Sequence, residues 1–325
     1  MSSTDIQLRN AAILVGIVTR NRLEKLKKTL EKCYRLGFRN VVVVDNSSGD
    51  GTQDYLRAQH WVHVIYNETN EGGAGGFNAV MRYFIEETSF QWLLTFDDDA
   101  YPDFTHLTLA KYLLQYSNPS RPGYALRVVY PDGELCQMNK PGRNVLAQSP
   151  FSAVVNFHID SNTKTCEVEF ASFVGLLLRR DTILRAGIVS KAFFIYSDDT
   201  YYTLFVSSCC GPLGYVPDLR IVHDCRRSSR SLKNHDAFRL GKDVTNKIVV
   251  IREFSRWKRT YIFLYLLQLV MKNPSRTLEI MKASFVGIRA DLQRFKNEPI
   301  VESRRLEPSC LSSVLSCLNS DSDSR

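Results

Sequence analysis

Short apolar runs alternate with amphipathic stretches along the first half of the chain. Ile13 to Val18 is one such run, too short for a helix and apolar enough for a strand buried on both faces. Behind it Leu23, Leu26, Leu30 and Tyr34 recur at helical spacing, and Gly37 stands just past them as a C-terminal stop. Val41 to Val44, all β-branched, predicts a second strand that closes on Asp45-Asn46-Ser47-Ser48. A short helix follows from about Thr52 to Ala58, then a third strand from Val62 to Tyr66, and Trp92 to Phe96 makes a fourth. Strands separated by helices at such short intervals predict a parallel, doubly wound α/β sheet.

Between the third and fourth strands, Asn70-Glu71-Gly72-Gly73-Ala74-Gly75-Gly76-Phe77-Asn78 reads as a glycine-rich loop leading into a helix that ends about Thr88. Asp103 is placed to cap a helix carrying Leu107, Leu109, Leu113 and Leu114. Residues 117–150 are richer in Pro, Gly and Asn, and Pro131-Asp132-Gly133 predicts a turn between antiparallel strands. Val168 to Leu178 is largely apolar, and Asp181 opens a short helix that stops near Gly187. Val216-Pro217 and Ile221-Val222-His223 predict a last strand with a histidine at its end.

The pattern then changes. Residues 226–233 are basic and serine-rich (Arg226, Arg227, Arg230, Lys233), which reads as a mobile loop, and beyond about residue 243 the spacing is helical. Tyr261 to Met271 is apolar but for Gln268 and too short to span a bilayer. Arg252, Arg256, Lys258 and Arg259 precede it, and Lys272 and Arg276 follow. Such a helix suits a membrane interface and packing on the main domain equally. Residues 297–325 have few large apolar groups and read as a disordered tail. The expected organisation is a main α/β domain over 1–240, a helical region over 241–296 and that tail.

Composition adds bounds rather than direction. With 325 residues, 44% hydrophobic and 23% charged, the chain has the make-up of an ordinary globular protein. Its net charge of +8 asks for an anionic partner. No nucleic-acid-binding signature accompanies the basicity, which leaves nucleotides and anionic membrane surfaces. Asp5 and Arg9 interrupt the N-terminus, no apolar signal region is present, and secretion is not expected. The eight cysteines include one adjacent pair, Cys209 and Cys210, and no CxxC. Neither a zinc site nor a disulfide framework is expected, and free thiols in a reducing cytoplasm fit this usage.

The candidate chemistry sits at the fourth strand, which ends on Asp97, Asp98 and Asp99. In an open α/β sheet ligands bind at the C-terminal ends of strands. Like charges crowded there need a cation or a solvated loop to relieve them. Alternate carboxylates, Asp97 and Asp99, can both reach one hard divalent ion, with a nucleotide diphosphate completing its shell. A bare acidic turn is the plainer reading of the triplet alone. The glycine segment is neither a Walker A loop nor a dinucleotide fingerprint, since no Gly-Lys-Ser/Thr ends it and the first strand is followed by Thr19-Arg20-Asn21. A second acidic pair, Asp198-Asp199, follows the aromatic cluster Phe193-Phe194-Ile195-Tyr196.

Taken in order, a strand ending in Thr-Arg-Asn, a strand ending in Asp-Asn-Ser-Ser, the glycine-rich segment, the Asp triplet, the acidic pair and His223 resemble the inverting family 2 glycosyltransferases of GT-A fold, over roughly residues 11–225. The glycine segment is most similar to the galactofuranosyltransferase and rhamnosyltransferase branches. The resemblance implies a mainly parallel central sheet flanked by helices, with a C-terminal helical extension. It implies that Thr19, Arg20 and Asn21 hold the nucleotide base and that Asp45 contacts base or ribose. It implies that Gly73, Gly75, Gly76 and Asn78 face the diphosphate and sugar, with Asp97 and Asp98 beside the nucleotide. Asp97, Asp99 and His223 are the implied ligands of Mn²⁺ or Mg²⁺, a buried hydrogen-bonded histidine being the alternative for His223. Asp199 is the implied catalytic base. Asp198 and Tyr196 are implied acceptor contacts, with loop orientation and core packing as alternatives. In galactofuranosyltransferases an aromatic residue precedes the acidic pair and another acid follows it, where this chain has Ser197 and Tyr201.

The implied activity moves galactofuranose, rhamnose or another hexose from a UDP- or dTDP-linked donor to a hydroxyl of a surface-glycan or lipid-linked acceptor. The implied setting is the cytoplasm, with attachment to the inner face of the plasma membrane left open. A sugar-1-phosphate nucleotidyltransferase shares related architecture but places a basic glycine-rich loop after its first strand. A non-catalytic GT-A-like binding protein would have no use for Asp97, Asp99 and Asp199 together.

Overall fold

A computed structural model describes residues 13–144, 165–227 and 236–300. The first half runs β1 (Ile13–Thr19), α1 (Leu23–Arg35), β2 (Val41–Asp45), α2 (Thr52–Arg57), β3 (His63–Tyr66), α3 (Gly72–Glu86), β4 (Trp92–Asp97), β5 (Ala100–Pro102), α4 (His106–Tyr116) and β6 (Gly123–Val129). The second half adds β7 (Cys166–Val168), β8 (Leu176–Arg179), α5 (Arg180–Ala186), α6 (Asp198–Cys210), β9 (Leu213–His223), α7 (Ala237–Phe254), α8 (Lys258–Lys272) and α9 (Thr277–Arg289).

The strands form one mixed sheet in the order β3-β2-β1-β4-β8-β6-β9-β5, with β7 on β9. β3, β2, β1 and β4 are parallel, as the sequence predicts. Beyond β4 the sheet turns antiparallel through β8, and β9 then pairs in parallel with β6 and antiparallel with β5 and β7. β1 is buried along its whole length because helices cover both of its faces. Ile13, Val15 and Ile17 pack with Leu26 and Leu30 of α1. Leu14 and Val18 pack on the opposite face with Phe77 and Val80 of α3.

Several elements depart from expectation, each for a packing reason. The glycine segment is not a loop: α3 begins at Gly72, and the glycines fill its first two turns. A Cβ on Gly76 would stand 2.3 Å from Val18 Cγ1, and one on Gly72 2.0 Å from the Phe194 carbonyl oxygen. They let the helix lie against β1 and against the 193–197 segment. The cap of α4 is Thr105, whose side chain accepts from the Thr108 amide, while Asp103 is ion-paired with Arg220. Leu107 and Leu114 of that helix are exposed. The turn at Pro131–Gly133 closes only a single antiparallel bridge, Val129 to Leu135.

The expected domain limits shift as well. α7 starts before residue 241 and sends Val249 and Val250 into a cluster with Phe193, Tyr201 and Leu204. Its other face, Leu240, Val244 and Ile248, meets Ile280 and Ala283 of α9. Glu298 forms a bridge with Ile188, so residues 298–300 return to the main body. Most of the expected basic loop and the tail from residue 301 lie outside the described residues.

The contact of α3 with β1 is tight enough to test. A Cβ on Gly16 would stand 2.3 Å from Val80 Cγ1 in a fully buried layer. Gly16→Ala is expected to destabilise the chain by about 1–3 kcal/mol through overpacking. Val80→Ala in the same chain should recover part of that loss in urea-unfolding midpoints. Equal midpoints for the wild type and Gly16→Ala would show that α3 yields without cost.

Candidate active site

Parallel pairing brings three strand ends to one edge. Thr19 is in register with Asp45, and Val18 with Asp97. The loops that follow are stitched together: Asn21, in the left-handed region with φ 53°, donates its amide to Ser48 Oγ at 2.9 Å. Its Oδ1 accepts from the Gly49 amide at 2.7 Å, and the Leu23 amide donates to Asp50 Oδ2 at 3.1 Å. Arg20 is exposed on this edge. Asp45 is enclosed; its Oδ2 accepts from the Ser48 amide and Gln53 Nε2, and its Oδ1 is buried with no partner among the described residues.

The three aspartates do not point alike. Asp98 turns inward, 4% exposed. Its Oδ2 accepts from Thr19 Oγ1 at 2.8 Å and from the Arg20 amide at 3.4 Å, and its Oδ1 from Arg22 at 3.3 Å. Both its oxygens and the Thr19 hydroxyl are therefore engaged in holding the strand end, not turned toward a nucleotide. Burial pushes Asp98 up to about 7 against the pull of Arg22 and Thr19. Asp97 is half-buried, and burial lifts it to about 6, with His223 opposing and the charges of Asp99 and Asp199 adding. Burial would also raise Asp99, but the bond from His223 and the charge of Arg22, 2.8 Å away, hold it below the usual carboxylate range.

His223 arrives through the sheet. β5 pairs with β9 so that Ala100 lies opposite His223, which sets the ring beside Asp99. Nε2 is 3.1 Å from Asp99 Oδ1, and Nδ1 is 2.8 Å from Asn139 Oδ1. Ser172 Oγ donates to the Val174 carbonyl at 3.2 Å and accepts from Asn139 Nδ2 at 2.9 Å. The amide oxygen of Asn139 is thereby left for Nδ1–H, and Nε2 is directed at the carboxylates. Burial would lower the His223 pKa, but Asp99 and the other anionic groups around it raise it to about 10. Ligand atoms of Asp97, Asp99 and His223 lie within 4.8 Å of one another. Two carboxylates and an imidazole oriented from behind by an amide fit a hard divalent cation.

The acidic pair opens α6, behind a contorted segment. Phe194, Tyr196 and Ser197 all have positive φ, near 64°, 68° and 61°. Asn246 of α7, fully buried, donates Nδ2 to the carbonyls of Phe193, Ile195 and Tyr196 at 2.8–3.0 Å. The Ala74 amide donates to Phe194 O at 3.1 Å. Asp198 is enclosed, and burial together with the neighbouring Asp199 charge holds its proton well above the usual range. Asp199 is half-buried, its Oδ1 accepting from the Thr200 amide at 2.6 Å. The charge of Asp199 acts on Asp97 and that of Asp97 on Asp198, so the two acidic groups face the same region of the fold. Tyr196 is half-buried, and the charges that act on its hydroxyl are those of Arg239, Asp243 and Asp236.

Of the glycines in the 72–76 segment, only Gly73 has open space where a side chain would stand. Gly75 is covered by Glu71, and Gly76 by Val18. Asn78 is fully buried and donates Nδ2 to Val189 O at 2.6 Å, so it braces α3 rather than facing the cleft. Sequence reasoning missed Arg22, Asn139 and Asn246. Arg22 adjoins the Thr19–Asn21 segment and could have been included with it. The two asparagines carry no local signal. The expectation that the cysteines form no metal cluster also changes, because Cys136 and Cys225 gather at His223.

A family model described as glycosyl transferase family 2 matches residues 14–183. Among solved structures, the chain is similar to GalNAc-T7 crystallised with UDP, GalNAc and Mn²⁺, with TM-score 0.55 and 14% identity, covering 84% of this chain and 54% of that one. It thus spans about half the length of that protein. S. aureus TarS 1–349 in complex with UDP aligns at TM-score 0.48 and 13% identity, over 87% of this chain and 76% of that one. A search of curated proteins finds no match.

The inward aspartate gives a stability test. A folded-state value of about 7 for Asp98 lies above the ordinary carboxylate value of about 4, so the folded chain holds that proton more tightly than the unfolded chain. The resulting stabilisation is full below about pH 4 and is lost as pH rises through about 7. Asp98→Asn mimics the protonated form. Without added divalent ions it should match the wild type at about pH 4 and melt roughly 2–4 °C higher at about pH 8. A variant less stable than the wild type at the higher pH would mean that Arg22 and Thr19 stabilise the ionised form enough to reverse the sign.

Proposed function

The chain belongs to glycosyl transferase family 2, and on that premise we propose that it transfers a hexosyl group, with inversion and metal dependence, from a nucleotide-diphospho-sugar to an acceptor hydroxyl. One observation carries the reading: ligand atoms of Asp97, Asp99 and His223 lie within 4.8 Å of one another, and the charge of Asp199 acts on Asp97. Nucleotide binding falls to the stitched loops after β1 and β2, where Arg20 is exposed and Asn21 fixes the turn. Contact of a base with Asp45 requires Ser48 or Gln53 to give way, because that carboxylate is enclosed. Asp97, Asp99 and His223 would hold Mn²⁺ or Mg²⁺, which supplies Lewis-acid neutralisation of the departing diphosphate when bound. Arg22, ion-paired to Asp98 and Asp99, adds positive charge on the same side.

Asp199 takes the proton of the attacking hydroxyl. The Thr200 amide holds its Oδ1 and so orients the carboxylate from behind. Asp198, enclosed and holding its proton, is suited to fixing the start of α6 and to donating a hydrogen bond toward the acceptor. Tyr196 stands at the same mouth as an acceptor contact. Galactofuranose and rhamnose remain the first donors to try, with UDP-galactose, UDP-glucose and UDP-GalNAc beside them.

The test is turnover and stereochemistry together. Asp199→Asn keeps the shape but cannot accept the proton, so transfer should fall by roughly 10²- to 10⁴-fold with donor binding little changed. Excess EDTA should abolish wild-type transfer, and NMR should show the product anomer inverted relative to the donor. Near-normal turnover in Asp199→Asn, or a retained configuration, would remove Asp199 from the role of base.

The same reading extends to a membrane surface. No helix among the described residues is long and apolar enough to cross a bilayer. α8 has no buried residue, and Phe263, Leu264, Leu267 and Met271 are exposed on it. α9 adds exposed Leu278, Met281, Phe285 and Val286. Exposed Arg256, Lys258 and Arg259 flank this apolar surface, which suits an anionic lipid interface and a lipid-linked acceptor. Flotation with acidic liposomes should be salt-sensitive, and replacing those three basic residues with Gln should reduce it while the fold is retained. Equal recovery on neutral and acidic liposomes would exclude electrostatic docking.

A further inference from the structure

His223 has a second set of neighbours, behind the face it turns to the aspartates. Cys136, just before the short 3₁₀ turn Gln137–Asn139, is buried, and Cys225 follows β9 by two residues. The ligand atoms of Cys136, His223 and Cys225 lie within 4.8 Å of one another. The imidazole nitrogen on this side is Nδ1, 3.9 Å from Cys136 Sγ. Asn139 Oδ1 points into the same space, 2.8 Å from Nδ1 and 3.0 Å from Cys136 Sγ. Cys225 Sγ also touches Met138 Sδ at 3.8 Å, which closes that flank with a second soft atom.

We propose that Cys136, Cys225 and His223 Nδ1, with Asn139 Oδ1 at the fourth corner, form a site for a thiophilic divalent cation such as Zn²⁺, separate from the hard-ion group at Asp97 and Asp99. Tetrahedral zinc holds sulfur and nitrogen ligands about 3.5–3.8 Å apart, and the Cys136 to Nδ1 separation is close to that span. Binding displaces the two thiol protons and the Nδ1 proton in favour of two metal–sulfur bonds and one metal–nitrogen bond. The thiol protons go to solvent. The Nδ1 proton goes to solvent from an imidazolium or shifts to Nε2 in a neutral ring, and no redox partner is needed. The support behind the ring is already present. A zinc-ligating histidine commonly donates its other N–H to a carboxylate, and Nε2 lies 3.1 Å from Asp99 Oδ1.

That arrangement has a consequence for the cleft. A neutral imidazole with Nδ1 on the soft cation keeps its proton on Nε2 and donates a hydrogen bond with it to Asp99, so the Nε2 lone pair is no longer available to the hard-ion group. With Nδ1–H on Asn139 instead, Nε2 is available. The two sites therefore compete for one ring, and the soft cation antagonises the hard one. This second step rests on the metal-dependent reading above, whereas the soft site itself does not.

The experiment uses the reduced full chain, freed of metal and titrated with Co²⁺ as a spectroscopic substitute for Zn²⁺. A thiolate-to-cobalt charge-transfer band with the visible bands of a tetrahedral site is expected at one equivalent and should be displaced by Zn²⁺. It should vanish in Cys136→Ser and in Cys225→Ser and persist in Asp97→Asn, with circular dichroism confirming that each variant is folded. Cys225→Ser, at a half-buried position, serves if Cys136→Ser does not fold. Mn²⁺ binding followed by electron paramagnetic resonance should weaken roughly 10- to 100-fold with Zn²⁺ present in the wild type and be indifferent to Zn²⁺ in Cys225→Ser. A band that survives in Cys225→Ser would overturn the site, as would its absence from the wild type with a Cys136–Cys225 disulfide mapped by mass spectrometry. Mn²⁺ binding that Zn²⁺ leaves unchanged in the wild type would overturn the competition. Failure of the wild type to bind Mn²⁺ at all would instead remove the hard-ion reading, while the cobalt band alone would still decide the soft site.

Discussion

Like charge on three consecutive residues at a strand end is the constraint to which the rest of the cleft answers. Ionised together on one side, Asp97, Asp98 and Asp99 would repel strongly in a half-buried place. The chain separates them. Asp98 is turned into the protein, where Thr19, the Arg20 amide and Arg22 receive it. Asp99 is neutralised from two directions by Arg22 and His223. Asp97 also has a raised affinity for a proton, and it has no arginine or lysine ion pair of its own among the described residues. β4, β5 and β9 can be seen as the means of this separation, since the bend between β4 and β5 puts Asp98 inward and the β5–β9 pairing delivers His223. Arg22 belongs to the same solution, because it is the residue at which the β1 loop becomes α1.

The second acidic pair is held by strain offset elsewhere. Non-glycine residues in the left-handed region cost on the order of 1 kcal/mol or more each, and three of them occur between Phe194 and Ser197. Asn246 offers its amide to three carbonyls of that segment, and Gly72 leaves room for the Phe194 carbonyl. α7 is thus packed into the main body rather than appended to it: without it the Ile195 and Tyr196 carbonyls would lose their Asn246 donor. This also explains why the helical region cannot be cut cleanly at residue 240.

Much of this was legible in the sequence where the signal is periodic or terminal. The buried strands, the carboxylates that end β4 and the histidine that ends β9 follow from short apolar runs and what closes them. The glycine segment was misread for a physical reason. Glycine disfavours helix by about 1 kcal/mol relative to alanine, so four in five residues read as loop. Only the close approach of Val18 and Phe194 shows why a helix tolerates them. The resemblance implied that Asn78 faces the diphosphate and sugar, whereas its amide nitrogen is committed to the Val189 carbonyl. Asn139 and Cys136 could not have been read at all, because they reach His223 from a segment that no spacing rule links to it, Asn139 being 84 positions away in the chain. Cys225 is only two residues from His223, but without Cys136 the pair is no ligand set.

What makes His223 the hinge of the chemistry is that its backbone cannot move much. β9 pairs with β6, β5 and β7, so the strand carrying the ring is tied along most of its length. Ser172 and Asn139 fix the ring from one side and Asp99 from the other. Any change of state at this residue is then a change in protonation at its two ring nitrogens, not a displacement of the strand that bears it. A ring so held discriminates between its two neighbouring donor sets by proton position alone. The oxygen-rich side and the sulfur-bearing side are therefore read by the same imidazole, and whichever set holds its lone pair determines what Asp99 can do.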